Sequence, residues 1–142
     1  MVNNENATGK HKIQLLNRTS ECSRLYTFLS DSLEQLPVTK EFRNDIKLVS
    51  EELLANIIRH GYDTDTEETI DIELVTDESG VSITFTDSAR EFNPLQTRNP
   101  EVLNDLSEGG MGILLVKSLT DAQNYKRVNG HNVLTVTKNY NK

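Results

Sequence analysis

Three groups of residues in this 142-residue chain have types and spacings suited to chemistry. Glu52, Asn56 and His60 recur at i, i+4 and i+8. In a helix each residue turns the chain by ~100°, so a step of four advances only ~40° and the three side chains form a slanting line up one side. That line runs beside the apolar stripe Ile46, Val49, Leu53 and Ile57. Polar groups at the edge of a buried stripe line a crevice if the helix packs on a sheet; on a helix taken by itself they are merely solvated. Gly109, Gly110 and Gly112 stand at the head of a helical pattern. Glycines there expose backbone N–H groups which, with the helix dipole, favour a phosphate. The run lacks the following Lys of a P-loop and the strand–GxGxxG–helix setting of a dinucleotide fold, and by itself it reads equally as a hinge. Asp87 closes a strand-like run, where an Asp forms a turn or, if buried, accepts hydrogen bonds from a ligand amine.

These residues need elements to hold them. Met1–Lys10 carries no periodicity and reads as a flexible tail, leaving 11–142 as one domain. Ile13–Leu16 reads as a first strand. Ser20 is placed to cap a helix whose face is Leu25, Phe28, Leu29, Leu33 and Leu36, and Pro37 breaks it. A second helix runs from near Thr39 to Gly61, with Gly61 as a left-handed stop. Thr69–Val75 and Val81–Thr86 alternate in polarity around the turn Asp77-Glu78-Ser79-Gly80 and form a hairpin. Asp87–Leu106, with Pro94 and Pro100, reads as a loop, and a loop of that length in a compact domain is usually functional. A third helix carries Ile113–Leu119. Two last strands, Ala122–Val128 and Val133–Lys138, flank the hairpin dipeptide Asn129-Gly130. The order β-α-α-β-β-loop-α-β-β predicts an α/β (α+β) two-layer sandwich: a mainly antiparallel mixed sheet with three helices on one face.

Composition narrows the function. Net charge is −7, but residues 1–108 hold 21 acids against 10 bases, whereas 109–142 hold 1 acid against 5 bases. Gly61–Ala89 has nine acids and neither Lys nor Arg. Such a surface repels nucleic-acid phosphates, so direct nucleic-acid binding is not expected. No apolar run reaches the ~20 residues that span a bilayer. The polar start lacks the apolar core of a secretory signal, and the single Cys22 allows neither an intrachain disulfide nor a cysteine metal cluster. A cytoplasmic protein acting through a small molecule or a partner is expected.

Taken together and in order, these features resemble one family. A helix bearing Glu-x-x-x-Asn, a strand-end Asp, a loop and a glycine-rich helix start is the layout of the ATPase superfamily that includes gyrase, histidine kinases and mismatch-repair ATPases. Glu51-Glu52-Leu53-Leu54-Ala55-Asn56-Ile57-Ile58-Arg59-His60-Gly61-Tyr62 is similar to the Asn-bearing box of the anti-sigma-factor serine/threonine kinases. Glu108-Gly109-Gly110-Met111-Gly112 and the helix after it resemble their second glycine box, and Phe92-Asn93-Pro94 resembles the segment after their first. The likeness runs roughly from Leu25 to Lys138, and the chain is identified as a member of that branch, with its ATP-binding Bergerat fold.

The resemblance implies roles. Asn56 would hold Mg²⁺, and Glu52, rather than its neighbour Glu51, would be the general base that takes the proton of a Ser or Thr hydroxyl. Asp87 would bind the adenine amine. Ala89, Phe92, Gly109, Gly110, Met111 and Gly112 would line the nucleotide, with Arg59 and His60 near it and a lid over about 95–108. ATP and Mg²⁺ are the implied cofactors. The implied partners are a sigma factor and a small anti-anti-sigma (STAS-type) protein, with a homodimer also in keeping with the branch. One residue departs: the family's first glycine box reads Asp-x-Gly, whereas here it is Asp87-Ser88-Ala89. If that position needs φ > 0, Ala carries a strain of order 1 kcal/mol. A catalytically weak partner-switching adaptor of the same fold is the alternative.

Overall fold

Apolar residues at alternate positions make strands, and apolar residues three and four apart make helices; this chain switches between the two periods. The computed structural model describes residues 9–62, 66–96 and 111–140. Within them run β1 (Gly9–Leu16), a 3-10 turn (Thr19–Glu21), α1 (Cys22–Leu33), α2 (Lys40–Gly61), β2 (Thr69–Thr76), β3 (Gly80–Asp87), α3 (Met111–Leu119), β4 (Ala122–Val128) and β5 (His131–Asn139). The strands form one sheet in the order β1-β2-β3-β5-β4. Every neighbouring pair is antiparallel, so the sheet of the expected two-layer sandwich is antiparallel throughout rather than mixed. Two of its pairs are joined by tight turns, which can connect antiparallel neighbours only.

One face of the sheet carries the core. Ile70, Ile72 and Leu74 of β2, Val81, Ile83 and Phe85 of β3, and Leu134 and Val136 of β5 are buried in one cluster with Leu25, Leu29 and Leu33 of α1, Leu53 and Ile57 of α2, and Val116 of α3. The other face is polar. Ser82 and Thr137 hydroxyls pair across β3 and β5 at 3.0 Å, and those of Thr84 and Thr135 at 2.9 Å. Two carboxylates of the acidic stretch find cationic partners on β1 and just after it. Glu73 lies between Lys10 and Lys12 at 3.8 and 3.9 Å, and Glu67 meets Arg18 at 3.0 Å. Exposed pairs of this kind add little stability.

Local signals fare unevenly at the helix ends. Thr39 caps α2, its hydroxyl accepting the Phe42 N–H at 3.0 Å. Ser20 does not cap α1: it lies inside the 3-10 turn, and α1 has no side-chain cap. Glu21 instead turns back to accept the Leu16 N–H at 2.9 Å, tying the turn to β1. The carbonyls left at the end of α1 are met from α2 by Arg43, which donates to Leu33 at 3.4 Å and Leu36 at 3.0 Å. Gly61 is the last residue of α2 and is followed by extended Tyr62, so it is no left-handed stop. Among the described residues positive φ occurs at Asn129 and Gly130, at 51° and 81°, as the β4–β5 hairpin turn requires. Gly61 serves close approach: a Cβ there would come within 3.1 Å of Ala89 Cβ. Strand β1 begins at Gly9, so Gly9 and Lys10 pair with Thr76 and Val75 rather than belonging to a tail.

Replacing Thr39 by Ala removes the acceptor of the Phe42 N–H and leaves that donor unsatisfied at the start of the longest helix described. The expected outcome is a loss of about 1 kcal/mol in unfolding free energy with an unchanged m-value, read from urea denaturation.

Candidate functional site

The predicted line of polar residues on α2 opens onto the start of α3. Asn56, only 3% exposed, donates from Nδ2 to the Glu52 carbonyl at 2.8 Å and to the Glu52 carboxylate at 2.9 Å. The first bond locks the carboxamide onto its own helix; the second holds the half-buried carboxylate against it. Asn56 Oδ1 faces Arg59, whose Nη1 lies 3.4 Å away. Across the crevice, Gly112 in the first turn of α3 abuts Glu52: a Cβ at that position would fall inside the Glu52 carboxyl group. A larger residue there would displace the Glu52 carboxylate from the place where it bonds Asn56. Glu51 belongs to another side of the helix, where its charge adds to the burial that pushes the Cys22 thiol up. The structure thus separates the two adjacent glutamates, and Glu52 is the one that faces the crevice. Further along, the His60 ring stacks on Phe92, with centroids 5.2 Å apart and planes at 33°.

Asp87 forms the second corner. It ends β3 on the same face as Val81, Ile83 and Phe85, and it is 3% exposed. A carboxylate so deep needs donors. Its Oδ1 accepts the Ala89 N–H at 2.9 Å and the Asn132 side-chain amide at 2.9 Å. Ala89 itself is buried and packs against Gly61. It is not among the described residues with positive φ, so the strain expected for Ala in place of the family's glycine does not arise. Its backbone instead makes an ordinary turn closed on the Asp87 side chain.

Tyr62, half-buried beside this corner, has its hydroxyl pushed well above the ordinary tyrosine range, first by burial and then by the negative charges of Asp87 and Glu68. Three other residues were not singled out from the sequence. Asn132, Tyr125 and Arg127 bind the segment after Asp87 from β4 and β5. Their signal lay in strand parity: Asn132 shares its face with buried Leu134 and Val136, so an amide there must be solving a polar problem inside.

Of the site residues expected, Glu52, Asn56 and Arg59 bond in turn along α2 with Gly112 set against Glu52, while His60 and Gly61 at the end of that helix meet Phe92 and Ala89 of the turn that closes on Asp87. Gly109, Gly110 and all of the expected lid except Leu95 and Gln96 lie outside the described residues, as does the side chain of Met111. Among the described residues no three His, Cys, Asp or Glu side chains gather as a metal site, and no helix is long and apolar enough to cross a membrane.

This combination of an antiparallel sheet, a Glu–Asn helix and a buried strand-end Asp defines a class. The family model described as the histidine kinase-like ATPase domain matches residues 17–138. Within it, the chain is 30% identical over 98 residues to the serine/threonine-protein kinase BtrW of Bordetella bronchiseptica, covering 67% of this chain and 69% of that protein. It is also 30% identical over 122 residues to an anti-sigma F factor of Clostridium perfringens, covering 80% and 83%. The crystal structure of the RsbU and RsbW domains of Rv1364c from Mycobacterium tuberculosis superposes with a TM-score of 0.66 over 94% of this chain. At 15% identity that likeness concerns the fold, and the match spans 33% of the longer chain. The chain belongs to the anti-sigma-factor serine/threonine kinase family of the histidine kinase-like ATPases.

The displaced tyrosine has a consequence at high pH. In the unfolded chain Tyr62 ionises near pH 10, while in the fold it stays neutral to higher pH. Its contribution is therefore complete below pH ~10 and is lost as pH rises further, because the unfolded state sheds the proton first. Tyr62→Phe is expected to flatten the alkaline fall in stability, measured as unfolding free energy between neutral pH and pH 11.

Proposed function

We propose that this protein binds Mg-ATP in the crevice between α2, the 87–92 segment and the start of α3, and transfers the γ-phosphoryl group to a Ser or Thr of an anti-anti-sigma protein. In the same reading it sequesters a sigma factor in the cytoplasm, and the phosphorylated antagonist no longer competes for it. The observation that carries this function is the pairing of two corners: Glu52 and Asn56 held against Gly112 at one end, and buried Asp87 at the other. The matched relatives, named as a serine/threonine-protein kinase and an anti-sigma factor, support it.

The residues present suit the groups. Asn56 supplies a hard carboxamide oxygen, the kind of ligand Mg²⁺ takes alongside phosphates and water. The metal would neutralise phosphate charge, which a net-negative chain cannot do with a lysine cradle at this helix. The close fit of Gly112 against Glu52 leaves backbone, not side chain, at the opening of α3, where a phosphate is favoured. Gly109 and Gly110 would extend that approach. Asp87 accepts hydrogen bonds, so it suits the amine of adenine and disfavours the carbonyl that guanine carries at the same place. Glu52 would take the hydroxyl proton as the substrate oxygen bonds to phosphorus and ADP leaves. Little more than positioning and charge neutralisation is needed for such a transfer. A catalytically weak adaptor drew on a strained Ala89; the ordinary backbone at Ala89 removes that motive. The same reading includes a homodimer, for which the edge strand β1 offers a surface able to pair.

Isothermal titration with Mg-ATP, followed by a transfer assay on partners recovered by pull-down, tests the function. Glu52→Ala is expected to keep nucleotide binding and to cut phosphoryl transfer by about 10²–10⁴-fold. Undiminished transfer by that variant refutes Glu52 as base, and no heat from the wild type at millimolar nucleotide refutes the function itself.

A further inference from the structure

The segment after Asp87 is held in place by three side chains of the last two strands. Asn132 on β5 stands opposite Asp87 of β3 on one side and Arg127 of β4 on the other, so the three form one row across the sheet. Asn132 is 5% exposed, and its hydrogen-bonding capacity is full. Its Nδ2 donates to Asp87 Oδ1 at 2.9 Å and to the Arg90 carbonyl at 2.9 Å, with the Ala89 carbonyl at 3.5 Å. Its Oδ1 accepts from the Phe92 N–H at 3.2 Å, the Tyr125 hydroxyl at 2.5 Å and Arg127 Nη1 at 3.0 Å. Arg127 Nη1 also donates to the Ala89 carbonyl at 2.8 Å. Carboxylate, turn and strand end are thereby fixed to one amide. Among short side chains, Asn alone offers two donors and an acceptor in a planar group, which is what this position demands.

The arrangement bears on what Asp87 can do. Among the described residues both of its donors reach Oδ1, so Oδ2 is the oxygen an incoming amine meets. We propose that Asn132, backed by Tyr125 and Arg127, is the positioning residue of the nucleotide-base pocket, holding Asp87 and the 89–92 backbone so that one carboxylate oxygen is presented to the exocyclic amine of the base. This rests on the nucleotide-binding function proposed above. It places the discrimination between an amino and a carbonyl group on the base partly in a residue that need not touch the nucleotide. All of Asn132's bonds go to Asp87, the segment after it, Tyr125 and Arg127, and none to Glu52 or Asn56, so it governs binding of the base and not the phosphoryl step.

Two measurements on the full chain test it. Without nucleotide, hydrogen exchange at the Ala89 and Phe92 amides is expected to quicken in Asn132→Ala, while that at Ile72 and Ile83 in the sheet centre stays as in wild type. With nucleotide, Asn132→Ala is expected to raise the KM for ATP by about tenfold or more, with kcat changed by less than about threefold, and to narrow the preference for ATP over GTP. Arg127→Ala, at the sheet margin where no cavity forms, is expected to shift KM in the same direction by a smaller factor, so the test stands even if Asn132→Ala folds poorly. Unchanged exchange at Ala89 and Phe92, or equal losses in kcat and KM with the base preference intact, overturns the proposal. If wild type binds no nucleotide, the proposed function and this role fall together; if wild type binds and both variants match it, this role alone falls.

Discussion

A carboxylate can stay in a protein interior only when donors surround it, and the burial of Asp87 is the constraint around which this domain is arranged. Its position at the end of β3 needs a turn whose N–H points back, which Ala89 supplies. It needs a second donor from the neighbouring strand, and Asn132 is set opposite by the β3–β5 register. That amide in turn needs donors of its own, which draws in Tyr125 and Arg127 from β4. The end of α2 closes over the same turn through the contact of Gly61 with Ala89. One charged group thus couples three strands, a turn and a helix end.

The other corner is governed by space instead of charge. Glu52 and Asn56 are bonded to each other within α2, and Gly112 leaves room for the carboxylate in that place, which a side chain at position 112 would force it to leave. The end of α2 ties this corner to the Asp87 turn through Gly61–Ala89 and His60–Phe92, so a molecule that reached both corners would have one end read by a carboxylate and the other met by backbone and a carboxamide. That asymmetry suits a nucleotide, whose base and phosphates make opposite demands.

Much of this was legible in the sequence because it depends on short-range pattern. Alternating Ile70, Ile72, Leu74 and Val81, Ile83, Phe85 specify a hairpin and its buried face, and the Glu52–Asn56 spacing places both groups on one side of α2 whatever the helix packs against. What was not legible depends on neighbours distant in sequence. Ser20 looks like a cap until Glu21 finds the Leu16 N–H. Gly61 looks like a left-handed stop until Ala89 is placed against it. Ala89 looks strained until its N–H is seen to close on Asp87. Asn132, two residues past a glycine turn, passes for a turn residue unless its parity with Leu134 and Val136 is counted.

The sheet order β1-β2-β3-β5-β4 has a bearing on how the domain comes together. Both β2–β3 and β4–β5 are hairpins that can zip locally. The β3–β5 seam joins them, and it brings together Asp87 and Asn132, 45 residues apart along the chain. Closing so long a loop costs chain entropy before any contact repays it, so seams of this kind slow folding. The proposed base pocket straddles that seam. A protein with the Asp87–Asn132 corner intact has therefore joined its two hairpins, and a ligand held there would act as a clasp on the junction between them, stabilising it by mass action.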